Sequence, residues 1–374
     1  MTRTSTARTR TRTRTRTRAL VVAASAAVAV LTAGVLLRPP TPSLSPETTG
    51  DAELTTWIAD HLGDGARDQL VAAVVTPDDV RFAGFGADES TEVEIGSVTK
   101  TMTALLLAQS AASGTVSLED RAADHAEVGG LPATLEELAT HRSGLPRLPS
   151  DAGVLVRSVL SQLRGTDPYA GYSADDVLRH AADATRGDGT VLYSNLGPAV
   201  LGQVLARAEG AAYADLVQER ILAPLGMTAS RVPTTADGLG PGAPTGYSAT
   251  GRSVDAWAME GYAPAGGVRS TAADMARYAQ ALLTDDPALG VPAAEVLAPR
   301  HEAGDLGRIG LAWLTAERED GGETTWHNGG TGGYSTMLAL DRERGVAVFV
   351  TGNTAASVDE LGMRLLAHVL EEES

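Results

Sequence analysis

Apolar residues run without interruption from Leu70 to Val75 and recur from Val80 to Phe85, with turn chemistry between them. That pattern predicts a hairpin of two short strands. After Ser97 the period changes. Met102, Leu105 and Leu106 fall at helical spacing, and Gly114 is placed to stop the helix. From about Ser117 to Pro299 the pattern stays mostly helical and is broken by Gly and Pro loops, with runs at Ala174–Ala184, Ala199–Ala208, Tyr213–Leu222 and Ala272–Leu283. Strand signals return at Ile309–Ala316, Thr324–His327, Ser335–Asp341 and Gly345–Thr351, and Leu361–Leu370 reads as an amphipathic helix. Strands at both ends of a helical middle predict an α+β fold: one antiparallel β-sheet flanked by helices, with a mostly helical subdomain inserted over residues 117–299. No internal repeat is visible.

The first fifty residues follow a different pattern. Residues 1–18 form a basic block in which Arg10 to Arg18 alternate with threonine. Residues 19–37 then carry no charge, and 38–50 are rich in Pro, Ser and Thr. A basic block before an apolar run predicts export with the basic end left inside. The run can span a bilayer as an anchor, or serve as a cleaved signal sequence. Residues 38–50 read as a linker and 51–374 as the folded domain that carries the candidate chemistry below.

Composition narrows the functions of that domain. The 374-residue chain has a formal net charge of −17. Eight arginines and no acid lie in residues 1–38, so the remainder holds 22 basic against 47 acidic residues. Such a body repels nucleic acid. With no cysteine there is no disulfide and no thiolate chemistry. The seven histidines, at 61, 125, 141, 180, 301, 327 and 368, show no close metal-ligand spacing. No Gly-x-Ser-x-Gly elbow occurs.

Lys100 is the only lysine among 30 basic residues, in a chain that otherwise uses arginine. It stands three residues after a serine, in Ser97-Val98-Thr99-Lys100. Arginine keeps its proton, whereas a buried lysine can give it up near neutral pH. On a helix the two side chains share one face. The helix N-terminus disfavours an ammonium and offers N–H groups to a developing oxyanion. The alternative is a serine cap followed by an exposed lysine. Tyr193-Ser194-Asn195 is a second candidate, with a phenol that can relay a proton and an amide that can hold a substrate amide, or else an ordinary turn. The third is Trp326-His327-Asn328-Gly329-Gly330-Thr331-Gly332-Gly333-Tyr334. Its glycines permit close approach of a ligand to a strand, and His327 can supply charge or a proton. Alone it reads as a hairpin turn.

The order of these three elements, with Leu138-Ala-Thr-His141-Arg-Ser143-Gly144-Leu145, Ala223-Pro224-Leu225-Gly226-Met227 and Pro264-Ala-Gly266-Gly267-Val-Arg-Ser270-Thr-Ala-Ala-Asp274, resembles the serine β-lactamase and D-Ala-D-Ala carboxypeptidase superfamily, on its class C-like branch. The resemblance covers roughly Leu54 to Val369. It implies a β-lactamase/transpeptidase-like fold and acyl transfer through an ester on Ser97. By the same resemblance Lys100 is the activating base, Tyr193 the acid–base residue and Asn195 the amide-binding asparagine. His327, Asn328 and Gly329 form the third motif, and Gly330 supplies an N–H to the oxyanion hole together with that of Ser97. His141 belongs to a structural loop. No cofactor or metal is implied. The expected partners are a small peptide, ester or β-lactam substrate and, through residues 19–37, a membrane.

One motif departs from the common pattern. Where many relatives have Lys-Thr/Ser-Gly, this chain has His327-Asn328-Gly329. A charged His327 beside the substrate carboxylate would replace the lysine in part. The asparagine lacks the hydroxyl, which weakens the case for efficient β-lactam turnover. The leading expectation is an extracytoplasmic D-Ala-D-Ala carboxypeptidase-like peptidase. A β-lactamase or small-ester esterase is one alternative, and a membrane-anchored penicillin sensor that acylates without turnover is another.

Overall fold

The computed structural model describes residues 41–149, 152–240 and 243–372; the basic block and the apolar run of residues 19–37 lie outside them. The described chain is an α+β fold around one nine-stranded antiparallel sheet. In chain order its strands are β1 (Thr48–Gly50), β2 (Leu70–Val75), β3 (Val80–Phe85), β4 (His301–Glu302), β5 (Arg308–Ile309), β6 (Leu314–Glu317), β7 (Glu323–Gly330), β8 (Ser335–Asp341) and β9 (Val346–Gly352). They are arranged β1-β3-β2-β9-β8-β7-β6-β5-β4, so β2 pairs with β9 from the far end of the chain.

The helices of nine residues or more are α1 (Ala52–His61), α2 (Thr99–Ala112), α3 (Ala152–Arg164), α4 (Ala174–Ala182), α5 (Leu196–Glu209), α6 (Ala272–Thr284) and α7 (Asp359–Glu372). Both sheet faces are covered, which is why β2, β8 and β9 are buried at every position. Leu70, Ala72 and Val74 pack with Leu54 and Ile58 of α1 and with Leu361, Leu365 and Val369 of α7. Val71, Ala73 and Val75 face the larger core, which holds α2, α5 and α6.

Helix α2 is buried on nearly all sides, including Thr99, Lys100, Thr101 and Thr103. Its polar side chains are bonded: Thr101 Oγ1 donates to Val98 O at 2.8 Å and Thr103 Oγ1 to Pro264 O at 2.8 Å. An unpaired hydroxyl at such depth would cost about 1–3 kcal/mol.

Three local expectations change. Thr48–Gly50, expected within the linker, adds an edge strand by pairing with Ala83–Phe85, and Asp51 caps α1 by accepting from Leu54 N–H. The run Ile309–Ala316 is not one strand. Gly310 N–H bonds Trp313 O and Ala312 takes φ +65°, folding the run into β5 and β6. Helix α5 begins at Leu196 rather than Ala199, because Pro198 falls in the first turn, where its missing N–H costs nothing. Among the described residues no helix is long and apolar enough to cross a membrane.

Candidate active site

Ser97 lies in the short 3-10 turn Gly96–Val98 that leads into α2. The turn is pressed against the end of β7. Strand β6 stops pairing at Trp326, so residues 327–330 extend beyond it with that edge open. Gly96 (φ +51°) has room only for hydrogen, since a Cβ there would sit 2.7 Å from Gly330 N. A Cβ on Gly329 would sit 2.1 Å from Ile95 O. The two glycines thus allow the strand end to touch the serine turn.

Lys100 is 1% exposed, one helical turn beyond half-buried Ser97. Its Nζ lies 2.8 Å from Ser97 Oγ, 3.0 Å from Asn195 Oδ1 and 2.6 Å from Ala265 O. Tyr193 Oη donates to Ser97 Oγ at 2.6 Å. Burial lowers the Lys100 pKa from its ordinary value; the Tyr193 phenol opposes that shift and the Arg147 charge adds to it. A neutral amine donates two hydrogen bonds and accepts one. Asn195 Oδ1 and Ala265 O can only accept, so the proton of Ser97 is the one that can point at Nζ. With the amine neutral, the contacts run in one direction, from Tyr193 to Ser97 to Lys100.

The Tyr193 turn is held by the loop around His141. Leu192 N–H bonds His141 O, Ser194 N–H approaches His141 Nδ1 at 3.3 Å, Ser194 Oγ donates to Pro146 O and Asn195 N–H bonds Arg147 O. The imidazole of His141 lies 4.7 Å from the Tyr193 ring, centre to centre. Burial, followed by the charges of Lys100 and His327, holds His141 well below the usual imidazole range. Asn195 Nδ2 donates to Tyr169 Oη at 2.9 Å, which fixes its amide orientation.

Ser97, Lys100, Tyr193, Asn195, His327, Gly329 and Gly330 therefore converge. Two features of the third motif were not expected from the sequence. His327 is 2% exposed and its pKa is pushed down to about 3, first by burial and then by the Lys100 charge. It is neutral at physiological pH, with Nδ1–H donating to Asn328 O at 2.6 Å, so it cannot hold a carboxylate by charge. Asn328 lies on the opposite face of β7, as strand alternation requires. Its Nδ2 donates to Asp359 Oδ2 at 2.6 Å, at the start of α7.

Two neighbours went unread in the sequence. Ala265 O enters through the Pro264–Gly267 stretch, whose side-chain pattern says nothing about a carbonyl. Arg147 places its guanidinium carbon 5.7 Å from the Tyr193 ring centre, and no motif marked it. Among the described residues no cluster of three or more His, Asp or Glu side chains is placed to hold a metal ion.

This geometry is that of an SxxK serine hydrolase. The chain belongs to the Beta-lactamase family, which matches residues 54–371. It is 28% identical over 342 residues to the D-alanyl-D-alanine-carboxypeptidase/endopeptidase AmpH of Escherichia coli K12, covering 83% of this chain and 85% of that one. The fold matches the octameric penicillin-binding protein homologue from Pyrococcus abyssi, with a TM-score of 0.72 at 22% identity over 85% of this chain and 77% of that one. It also matches the D-alanine carboxypeptidase AmpC from Burkholderia cenocepacia, with a TM-score of 0.66 at 23% identity over 85% and 97%.

Proposed function

We propose that this serine hydrolase is a D-Ala-D-Ala carboxypeptidase-like peptidase that works through an acyl-enzyme on Ser97. The observation that carries the reading is the buried amine of Lys100, 2.8 Å from Ser97 Oγ, with Tyr193 Oη at 2.6 Å on the same oxygen. The relative named for carboxypeptidase and endopeptidase activity supports the substrate class.

In this mechanism the proton of Ser97 passes to neutral Lys100 as Oγ attacks the scissile carbonyl. The N–H groups of Ser97 and Gly330 stabilise the oxyanion. Tyr193 delivers a proton to the departing amine and is reprotonated by Lys100, which gives up the proton it took from Ser97, the two groups acting as a coupled pair. Water then attacks the ester, giving up its proton to the same pair, and Ser97 is released. Asn195 holds the substrate amide while anchoring the Lys100 amine.

A neutral His327 also favours a second reading, turnover of small esters that carry no carboxylate. The discriminating experiment offers purified protein a peptide ending in D-Ala-D-Ala, a chromogenic cephalosporin and a p-nitrophenyl ester. Release of D-Ala, abolished in Ser97→Ala, is the expected result. Ester turnover without D-Ala release would favour the second reading. A stable adduct by intact mass, with no turnover of any of the three, would indicate a sensor.

We also place the catalytic domain outside the cytoplasm, anchored or released, on the strength of the basic block before the apolar run of residues 19–37. A reporter fused after Ser374 should be active only outside the cytoplasm; activity of a cytoplasm-only reporter there would contradict export.

A further inference from the structure

The neutral state of His327 leaves a peptidase reading without an obvious cation for the substrate's terminal carboxylate. Lys100 is buried with its Nζ held by Ser97 Oγ, Asn195 Oδ1 and Ala265 O, so it has no free face for one. Arg147 is exposed and leans over the ring of Tyr193, whose hydroxyl reaches Ser97 Oγ. Its position is fixed from below, since its own carbonyl accepts the N–H of Asn195. Its charge reaches into the site, lowering Lys100 and working downward on Tyr169. Beyond residue 38 acidic residues outnumber basic ones, 47 against 22, yet among the described residues none forms an ion pair with Arg147. An unpaired guanidinium at the mouth of an acidic protein attracts anions locally where the whole molecule repels them. Guanidinium is also the side chain best shaped for a carboxylate, offering two parallel N–H donors.

We propose that Arg147 is a specificity residue that binds a carboxylate on the leaving-group side of the substrate. The side follows from Tyr193. In the mechanism above it protonates the leaving group, so a leaving group bonded to Tyr193 lies beside the guanidinium stacked on the same ring. In a D-Ala-D-Ala peptide that group is the departing D-alanine with its free carboxylate. This inference rests on the proposed acyl transfer at Ser97, but it requires only a carboxylate on the leaving group and not a peptide bond.

The test therefore uses substrates of a second kind. An aryl acetate carrying a carboxylate on its phenol is compared with its methyl ester, and acylation of Ser97 is timed for each by intact mass. The acid-to-ester rate ratio should fall at least about fivefold in Arg147→Gln, the size expected for one partly exposed charge pair. It should recover in part in Arg147→Lys, and the parent's ratio should shrink as salt is raised. A smaller change in the Arg147→Gln ratio, or equal loss on both substrates, overturns the proposal. Among the described residues the guanidinium has no hydrogen-bond partner to lose, so a melting curve matching the parent's is expected and checks that the fold is intact. The two readings separate in the same plate. Failure to release D-Ala from a peptide sinks the peptidase assignment alone, whereas an unmoved ratio sinks the role of Arg147 alone.

Discussion

Replacing Lys100 by arginine isolates its use as a base. The parent Nζ meets three acceptor-capable atoms at 2.6–3.0 Å in a pocket that leaves the side chain 1% exposed. A guanidinium retains its proton under all conditions of assay, so the hydroxyl of Ser97 has nowhere to send its own. Loss of a general base costs at least about 10²-fold, or about 3 kcal/mol of transition-state stabilisation. The planar group also cannot reach three acceptors from one nitrogen, so a further loss from misplacement of Asn195 is expected. The pH dependence adds a separate signature. Because the Lys100 pKa is lowered in the folded protein, the active neutral form is gained as pH rises through that lowered value, and acylation climbs to a plateau. Lys100→Arg should show no such limb. The assay is quenched-flow acylation by a fluorescent penicillin, with circular dichroism to verify folding. Lys100→Met, which buries no charge, covers the case in which the arginine variant does not fold. A folded variant of either kind that acylates within tenfold of the parent would refute the base role and transfer it to Tyr193.

Other outcomes follow from the same geometry. Gly329→Ala should lose acylation by at least about 10²-fold, because the new methyl would meet Ile95 O and displace the serine turn; the labelled-penicillin rate measures it. Asn328→Ala should lower thermal stability by about 1 kcal/mol by removing the tie to Asp359, while acylation stays within about threefold of the parent. His327 has a folded pKa below its unfolded value, so its contribution to stability is fully present above about 6.5 and is lost as pH falls toward about 3. The melting temperature of His327→Gln should therefore gain on the parent's as pH drops from 7 to 4, and a constant difference across that range would show that His327 is not buried neutral.

How much of this was legible in the sequence depended on whether a property is local. The uninterrupted apolar run of β2 pointed to a strand because burial on both faces leaves no polar position in it, and the apolar centres of β8 and β9, Met337–Leu340 and Val346–Val350, did the same. The spacing of Ser97 and Lys100 fixed their shared helix face in advance. His327 and Asn328 were different. Alternation guarantees that only one of two neighbours faces the serine, but which one depends on which side of the sheet carries α2. The charge of His327 depends on depth, which a residue string does not record. Arg147 escaped because its contact with Tyr193 joins two loops 46 residues apart, neither marked by periodicity.

The seclusion of the only lysine has a consequence for the chemistry of the whole surface. Every side-chain cation that the described protein shows to solvent is a guanidinium or an imidazole. Reagents that acylate, glycate or crosslink amines find no ε-amine on the outside, and apart from the chain's amino terminus their one target is Lys100. Burial lowers the pKa of that amine, and it lies 1% exposed against Ser97 Oγ. A small amine-directed reagent becomes a titrant of the cleft, and a large one leaves the folded molecule untouched.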